Sequence, residues 1–295
     1  MKVARYTVNG KESYGVMRED NSIVDVPKLG KTLRKKVPKT IDALISLGDQ
    51  AENLIVEMLS DAPRSRRFVL DFSQVVLRAP VASPPKVICL GLNYRDHAKE
   101  AGASLPDEPI IFMKPRTAIV GPEEPVKKPS FVEKLDYEVE LGVVIGKVGR
   151  NIPVSKVKEH IFGYTVFNDI SARDIQFKDG QWTRGKSFDT FAPLGPCIVT
   201  ASQIDDPNNL RMWTRINGET RQNSSTKHML FNVYEIVHHL SKVMTLEPCD
   251  VIATGTPAGV AAFMKPKPKF LQPGDIVEVE IEKIGKLRNP IVTDN

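Results

Sequence analysis

The sequence predicts a mixed α/β, β-rich fold, with a small α+β domain at the N-terminus and a mixed β-roll or barrel behind it. Three observations carry that reading. Beyond residue 86 many short apolar runs end near Gly, Asn, Asp or Pro, as strands do. Only one segment there shows long helical periodicity, which argues against an alternating doubly wound sheet. The stretch Arg78-Ala79-Pro80-Val81-Ala82-Ser83-Pro84-Pro85 is Pro-rich and extended, and marks a boundary. The expected organisation is therefore a domain over residues 1–72, a linker over 73–85 and a larger domain over 86–295.

In the first domain Val3 to Val8, Tyr14 to Met17 and Ile23 to Val26 read as strands, separated by Asn9-Gly10 and Glu19-Asp20-Asn21. Ile41, Leu44 and Ile45 then repeat at helical spacing behind a Thr40 cap, followed by Leu54, Ile55, Met58 and Leu59. No polar constellation there carries chemistry, so a structural or oligomer-forming role is expected. In the second domain strands are expected at Val87 to Leu90, Ile110 to Met113, Glu138 to Ile145, Phe162 to Asn168, Cys197 to Thr200, Met212 to Ile216, Val251 to Ala253 and Ile276 to Ile281. The long helix carries Val233, Ile236, Val237, Leu240, Val243 and Met244.

Composition narrows the function classes. The 295 residues are 41% hydrophobic and 26% charged, enough for a sizeable core, and no run approaches the roughly 18 apolar residues of a membrane span. The opening residues lack both a secretory apolar run and an Arg/Ser-rich presequence, so a cytoplasmic protein is expected, or a mitochondrial matrix protein whose presequence has been removed. A net charge of +5 does not call for nucleic acid. The basic clusters Lys31 to Lys39, Arg64-Ser65-Arg66-Arg67 and Lys265 to Lys269 lack interleaved aromatics and read as solvated faces. Cys89, Cys197 and Cys249, odd in number and far apart, read as buried thiols rather than a disulfide or zinc framework.

The run Asp136-Tyr137-Glu138-Val139-Glu140-Leu141 alternates with period two, so three acids share one strand face. Neighbouring carboxylates about 7 Å apart repel by roughly 2 kcal/mol at an effective dielectric of about 20. Water or a divalent cation must relieve that, and the two readings are an exposed face or a metal site. Val277-Glu278-Val279-Glu280-Ile281-Glu282 has the same alternation and reads as solvated. A further acid, Asp169, ends the β-type run Gly163 to Asn168. Two glutamates and one aspartate, all oxygen donors, suit Mg²⁺ or Mn²⁺ better than zinc.

His97 and Glu100, at i,i+3 if the chain turns helical after Asn93, form either a surface pair or a dyad in which the carboxylate orients a general base. The following Ala101 to Pro109 has the composition of a flap, so the dyad is expected to form when a lid closes. Gly185-Lys186-Ser187 and Thr254-Gly255-Thr256 are glycine-bearing loops. Lys186 is a surface lysine or a fixed charge for an oxyanion; Thr256 is a turn residue or a carboxylate holder through its hydroxyl or backbone. No phosphate-loop or dinucleotide motif occurs. His160, His228, His238 and His239 read as structural.

The blocks Asn93-Tyr94-Arg95-Asp96-His97, Glu138-x-Glu140, Asn168-Asp169-Ile170-Ser171-Ala172-Arg173-Asp174, Gly185-Lys186-Ser187-Phe188-Asp189-Thr190 and Thr254-Gly255-Thr256-Pro257-Ala258-Gly259-Val260 together resemble the fumarylacetoacetate hydrolase superfamily, in its order, over about residues 80–292. The resemblance implies a catalytic mixed β-roll, a homodimer, and Mg²⁺ or Mn²⁺ held by Glu138, Glu140 and Asp169. It implies a His97–Glu100 dyad on a lid, with Lys186 catalytic and Arg173, Gln176 and Thr256 around a small-molecule 2-oxo acid. A 2-oxo acid chelating the metal can delocalise a C3 carbanion into an enolate, which connects three reactions: acylpyruvate hydrolysis, oxaloacetate decarboxylation and oxaloacetate tautomerisation. Leu92 stands where some members carry a basic residue, so substrate identity is not carried over. The rival reading is a non-catalytic module of the same fold holding a structural cation. Neither nucleic acid nor membrane is an expected partner.

Overall fold

A computed structural model describes residues 1–63, 67–178 and 180–294. The Arg64-Ser65-Arg66 part of one basic cluster lies outside the described residues. Two larger sheets account for most strands. The first runs, edge to edge, through Val69–Asp71, Ser22–Asp25, Lys11–Met17, Lys2–Val8, Ala192–Thr200, Ile161–Asn168, Val139–Ile145, Val251–Ala253, Val87–Gly91 and Ile110–Lys114. Val76–Arg78 and Ile119–Val120 pair beside this path. The second sheet orders Glu219–Ser225, Arg211–Ile216, Ile276–Ile281, Gly285–Thr293 and Val126–Lys128. Parallel pairs occur within the mostly antiparallel ladders, Val251–Ala253 with Val87–Gly91 among them, so the sheet-rich mixed α/β expectation holds.

The central strands are buried on both faces, and their alternation divides two apolar clusters. Val139, Leu141, Val143 and Ile145 face a cluster that includes Met212, Val277, Val279 and Leu287 of the second sheet and Val233, Ile236 and Leu240 of the Val233–Val243 helix. Val144 faces the other cluster, with Cys89, Phe112, Ala253 and the N-terminal Ile41, Leu44 and Ile55. Each fully buried aliphatic side chain contributes about 1.5–3 kcal/mol, which lets the same strand carry carboxylates into the interior.

Local signals place the helices. Thr40 caps Ile41–Ile45 through its side chain and Ala43 N–H, as its residue type predicts. Asn232 and Glu235 form a reciprocal capping box on Val233–Val243. The helix Val26–Leu33, whose first residue the sequence assigns to the preceding strand, is amphipathic and buries Val26, Leu29 and Gly30; Asp25 caps it and Pro27 opens it. The polar strand Glu219–Ser225 and the Pro290-containing Gly285–Thr293 escape hydrophobic alternation.

The expected 1–72 unit shares a sheet with the rest of the chain. Lys2–Val8 pairs with both Val76–Arg78 and Ala192–Thr200. All three cysteines are free and buried. Among the described residues no helix is long and apolar enough to cross a membrane.

Candidate active site

Strand direction gathers the site at one end of the first sheet. Val87–Gly91, Ile161–Asn168 and Val251–Ala253 end there, and Val139–Ile145 begins there, with Val139 opposite Asn168. The connections leaving these strands therefore bring Asn93 and His97, Glu138, Asp169, and Thr254 to Thr256 together. Asn93 ties two of them: its Nδ2 donates to the Thr254 and Phe231 carbonyls, and its Oδ1 accepts from Phe231 N–H. Gly255 adopts φ +94°, a conformation that favours glycine, and its N–H donates to Glu140 at 2.8 Å.

Glu138, Glu140 and Asp169 are buried and present oxygen atoms all within 4.8 Å of one another. The exposed-face reading of this strand is thereby overturned: Val139–Ile145 is buried throughout. Asp136 departs from the cluster. It lies on the short strand Leu135–Asp136, paired with Ser171–Ala172, and accepts from Ala261 N–H, Ala262 N–H and Arg173 Nε.

Three buried cations answer the acids. Lys186 Nζ lies 2.7 Å from Glu138 and 2.6 Å from Asp169. Arg173 reaches Asp136 at 2.9 Å and Glu138 at 2.6 Å, and donates to Gln176 Oε1. Lys114, which sequence reasoning missed, is wholly buried; its Nζ sits 2.6 Å from Asp169 Oδ1 and donates to the carbonyls of Ile170, Lys186 and Phe191. Its only sequence signal is a lysine ending an apolar strand before Pro115, which resembles an ordinary strand terminus.

Four buried carboxylates against three buried cations leave one formal negative charge. Among the described residues Glu140 has no cationic partner within ion-pair distance. Burial, then the neighbouring Asp169 and Glu138 charges, push its carboxyl well above the usual range. Burial also acts against an ionised Glu138, but Lys186 and Arg173 outweigh it and hold that carboxyl well below the usual range. At Lys186 the cost of burial is outweighed by the Asp169 and Glu138 charges, so the ammonium form is favoured. A hard divalent cation supplies what this oxygen-only cluster lacks, so the residues fit Mg²⁺ or Mn²⁺.

A cavity of about 270 Å³ opens on the cluster. Glu138, Glu140, Arg173, Gln176, Lys186, His97 and Thr256 line it, and Asp169 and Glu100 contact the lining Lys186 and His97. The Arg95–Glu100 helix brings His97 Nδ1 within 2.8 Å of Glu100 Oε1, and Gly259 N–H donates to both Glu100 oxygens. The dyad is therefore assembled here, rather than awaiting closure. Leu92, at φ +52°, turns the chain from strand toward that helix. Thr256 needs a revision: its hydroxyl donates to the Val139 carbonyl and accepts from Gln222, leaving its backbone as the remaining polar group for a ligand. His160, His228 and His238 bond elsewhere, to Lys147, Ser224 and Ile152.

A β-rich fold with a buried acidic triad that could hold a metal ion, buried cations and a His–Glu pair at one strand end is the arrangement of an enzyme site. The profile described as Fumarylacetoacetate (FAA) hydrolase C-terminal matches residues 86–292, and the chain belongs to the fumarylacetoacetate hydrolase family. It is 41% identical over 278 residues to the mitochondrial oxaloacetate tautomerase fahd2 of Xenopus laevis, covering 94% of this chain and 84% of that protein. A fumarylacetoacetate hydrolase from psychrophilic Exiguobacterium antarcticum superposes over all of both chains with TM-score 0.85 and 40% identity. A 2-hydroxyhepta-2,4-diene-1,7-dioate isomerase from Mycobacterium marinum superposes at TM-score 0.78 and 34% identity, over 100% of this chain and 99% of that one.

Proposed function

We propose that the protein is a divalent-metal-dependent enzyme of 2-oxo-acid enol chemistry, with interconversion of the enol and keto forms of oxaloacetate as its principal reaction. The observation that carries the reading is the juxtaposition, on one small cavity, of the acid cluster, the buried Lys186 and the His97–Glu100 pair. The likeness to a protein named as an oxaloacetate tautomerase supports the choice among related reactions. Glu138, Glu140 and Asp169 would hold Mg²⁺ or Mn²⁺, which supplies Lewis-acid polarisation of a 2-oxo group.

The reaction removes one proton from O2 and places one on C3, without oxidation or bond cleavage between carbons. Lys186 supplies a fixed positive charge beside the oxygen on which negative charge develops, and Glu138 and Asp169 hold its ammonium in place. Arg173 and Gln176 orient the substrate carboxylate. His97 carries the proton at C3 through Nε2, because Glu100 engages Nδ1 and fixes the ring.

Acylpyruvate hydrolysis is the second reading, and the preassembled dyad favours it, since His97 in this geometry also activates water. Decarboxylation of oxaloacetate needs no such base. His97→Ala is therefore expected to cut hydrolysis and tautomerisation by about 100-fold or more and to spare decarboxylation. The deciding assay supplies Mn²⁺ or Mg²⁺ and follows oxaloacetate enol absorbance, pyruvate release and loss of acetylpyruvate in parallel. Enol loss without pyruvate supports the first reading; acetylpyruvate loss in step with pyruvate moves the assignment to hydrolysis; no turnover of either contradicts both and leaves the structural-cation module. The proposal extends to a homodimer, and to residues 1–72 and 86–295 as two domains joined by 73–85. Light scattering on the intact protein tests the dimer.

A further inference from the structure

We propose that the same cavity accepts 2-oxo acids with an aromatic C3 substituent, and that arylpyruvates undergo the enol–keto step there; this rests on the 2-oxo-acid reading above. The lining carries the argument. Beside the polar groups it holds Leu92, Phe112, Phe177, Trp182 and Phe263. These side chains adjoin the reacting end: the Phe112 ring centroid lies 5.0 Å from Lys186 Nζ, and Trp182 meets Phe112 edge to face at 5.8 Å. On the dyad side, Phe263 lies 6.0 Å from the His97 ring. A substituent one or two bonds from an oxygen held by Lys186 therefore meets aromatic surface, with edge and face geometries available to a ring.

The backbone is shaped to seat that wall. A Cβ at Gly91 would lie 1.9 Å from the Trp182 ring, so the strand end lacks a side chain where the indole rests. The lysines and arginines lining the cavity are Arg173 and Lys186, both engaged by Asp136, Glu138 or Asp169, and an uncharged C3 substituent needs no further cation beside them. A cavity of about 270 Å³, near the lower end of the roughly 300–1,000 Å³ common for small-molecule sites, suits a compound of a single ring and a three-carbon acid. The chemistry balances as for oxaloacetate: O2 loses its proton, C3 gains one, the C2=C3 double bond becomes single and the C2–O bond becomes the carbonyl.

The test follows loss of enol phenylpyruvate and enol oxaloacetate by the Mn²⁺-supplied wild type, Trp182→Ala and Leu92→Arg, with calorimetric phenylpyruvate binding as a readout independent of turnover. The expected result is turnover of both by the wild type. Each variant should lower the phenylpyruvate-to-oxaloacetate kcat/KM ratio at least about tenfold and weaken phenylpyruvate binding. Oxaloacetate turnover with phenylpyruvate neither bound nor converted overturns this inference alone, as does an unchanged ratio in both variants. Wild-type turnover of neither compound overturns the 2-oxo-acid reading and this inference with it. Leu92→Arg keeps the test decisive if Trp182→Ala fails to fold.

Discussion

Two strands of this chain carry the same alternation of glutamate and aliphatic residues and have opposite fates. At Glu138-Val139-Glu140-Leu141 both faces are buried, and the acids converge with Asp169 on a cavity. At Val277-Glu278-Val279-Glu280-Ile281 the valines and isoleucine pack in the core, but the glutamates stay half-exposed and pair with Lys286 and Arg215 across neighbouring strands. Alternation alone therefore fixes which residues share a face, and not what that face meets. Both strands are flanked on both sides in their sheets, but the first starts beside three other strand ends that cover its acids, whereas the second, in the smaller sheet, keeps its glutamate face partly open to solvent.

The largest expected separation between the two strands is in turnover. Glu140→Ala or Asp169→Ala should reduce metal-dependent turnover about 1,000-fold or more, by removing donors that act on developing charge. Glu280→Ala should leave it within about twofold; steady-state kinetics on the three variants reads this. Equal losses at Glu140 and Glu280 would end the distinction.

Stability separates the cations that serve each strand. Lys114→Met leaves the Asp169 carboxylate without one of its two buried partners, and breaking a buried pair in this way costs about 3–5 kcal/mol. Lys286→Met removes a partner of Glu278 from a solvent-screened pair, for which about 0–1 kcal/mol is usual. Urea denaturation of both variants provides the comparison. Added Mn²⁺ should recover none of the Lys114→Met loss if Lys114 is needed to place Asp169.

A smaller effect sharpens the role of burial without a charged partner. Burial, the leading cause in each case, pushes the Cys197 thiol up to about 11 and Cys249 to about 12. The folded state favours the neutral thiols, so their contribution is fully present below about pH 9. It is lost as pH rises through the folded values, because the unfolded chain ionises first. Denaturation midpoints should fall between pH 9 and 12, and less steeply in a Cys197→Ala/Cys249→Ala double variant. Alkylation of the native protein at pH 8 should label none of the three cysteines.

Much of the fold and site was legible because it lies in short, ordered blocks. The apolar runs located the central strands, the Thr40 cap located a helix start, and the five polar blocks held His97, Glu138, Glu140, Asp169, Arg173, Lys186 and Thr256, with Gln176 added by the family resemblance alone. What escaped depends on long-range packing. Lys114 reaches Asp169 from the end of its strand, where carbonyls from distant segments surround its ammonium. Asp136 shares the alternation of Glu138 yet turns to Arg173 because the strand breaks at Tyr137. Gln222, on a strand too polar to read as one, consumes the Thr256 hydroxyl that sequence offered to substrate. Helix Val26–Leu33 is amphipathic but only eight residues long, and Pro27 and Gly30 within it read as breakers.

A metal site and a merely ion-paired interior differ in how the buried acid cluster takes up Mn²⁺. Calorimetric titration of Mn²⁺ into the wild type, Glu140→Gln and Glu280→Gln separates the two. A metal site predicts one ion per chain in the wild type and in Glu280→Gln, with affinity at least about 100-fold weaker in Glu140→Gln. Equal Mn²⁺ affinity in all three, or no binding by the wild type, would contradict it.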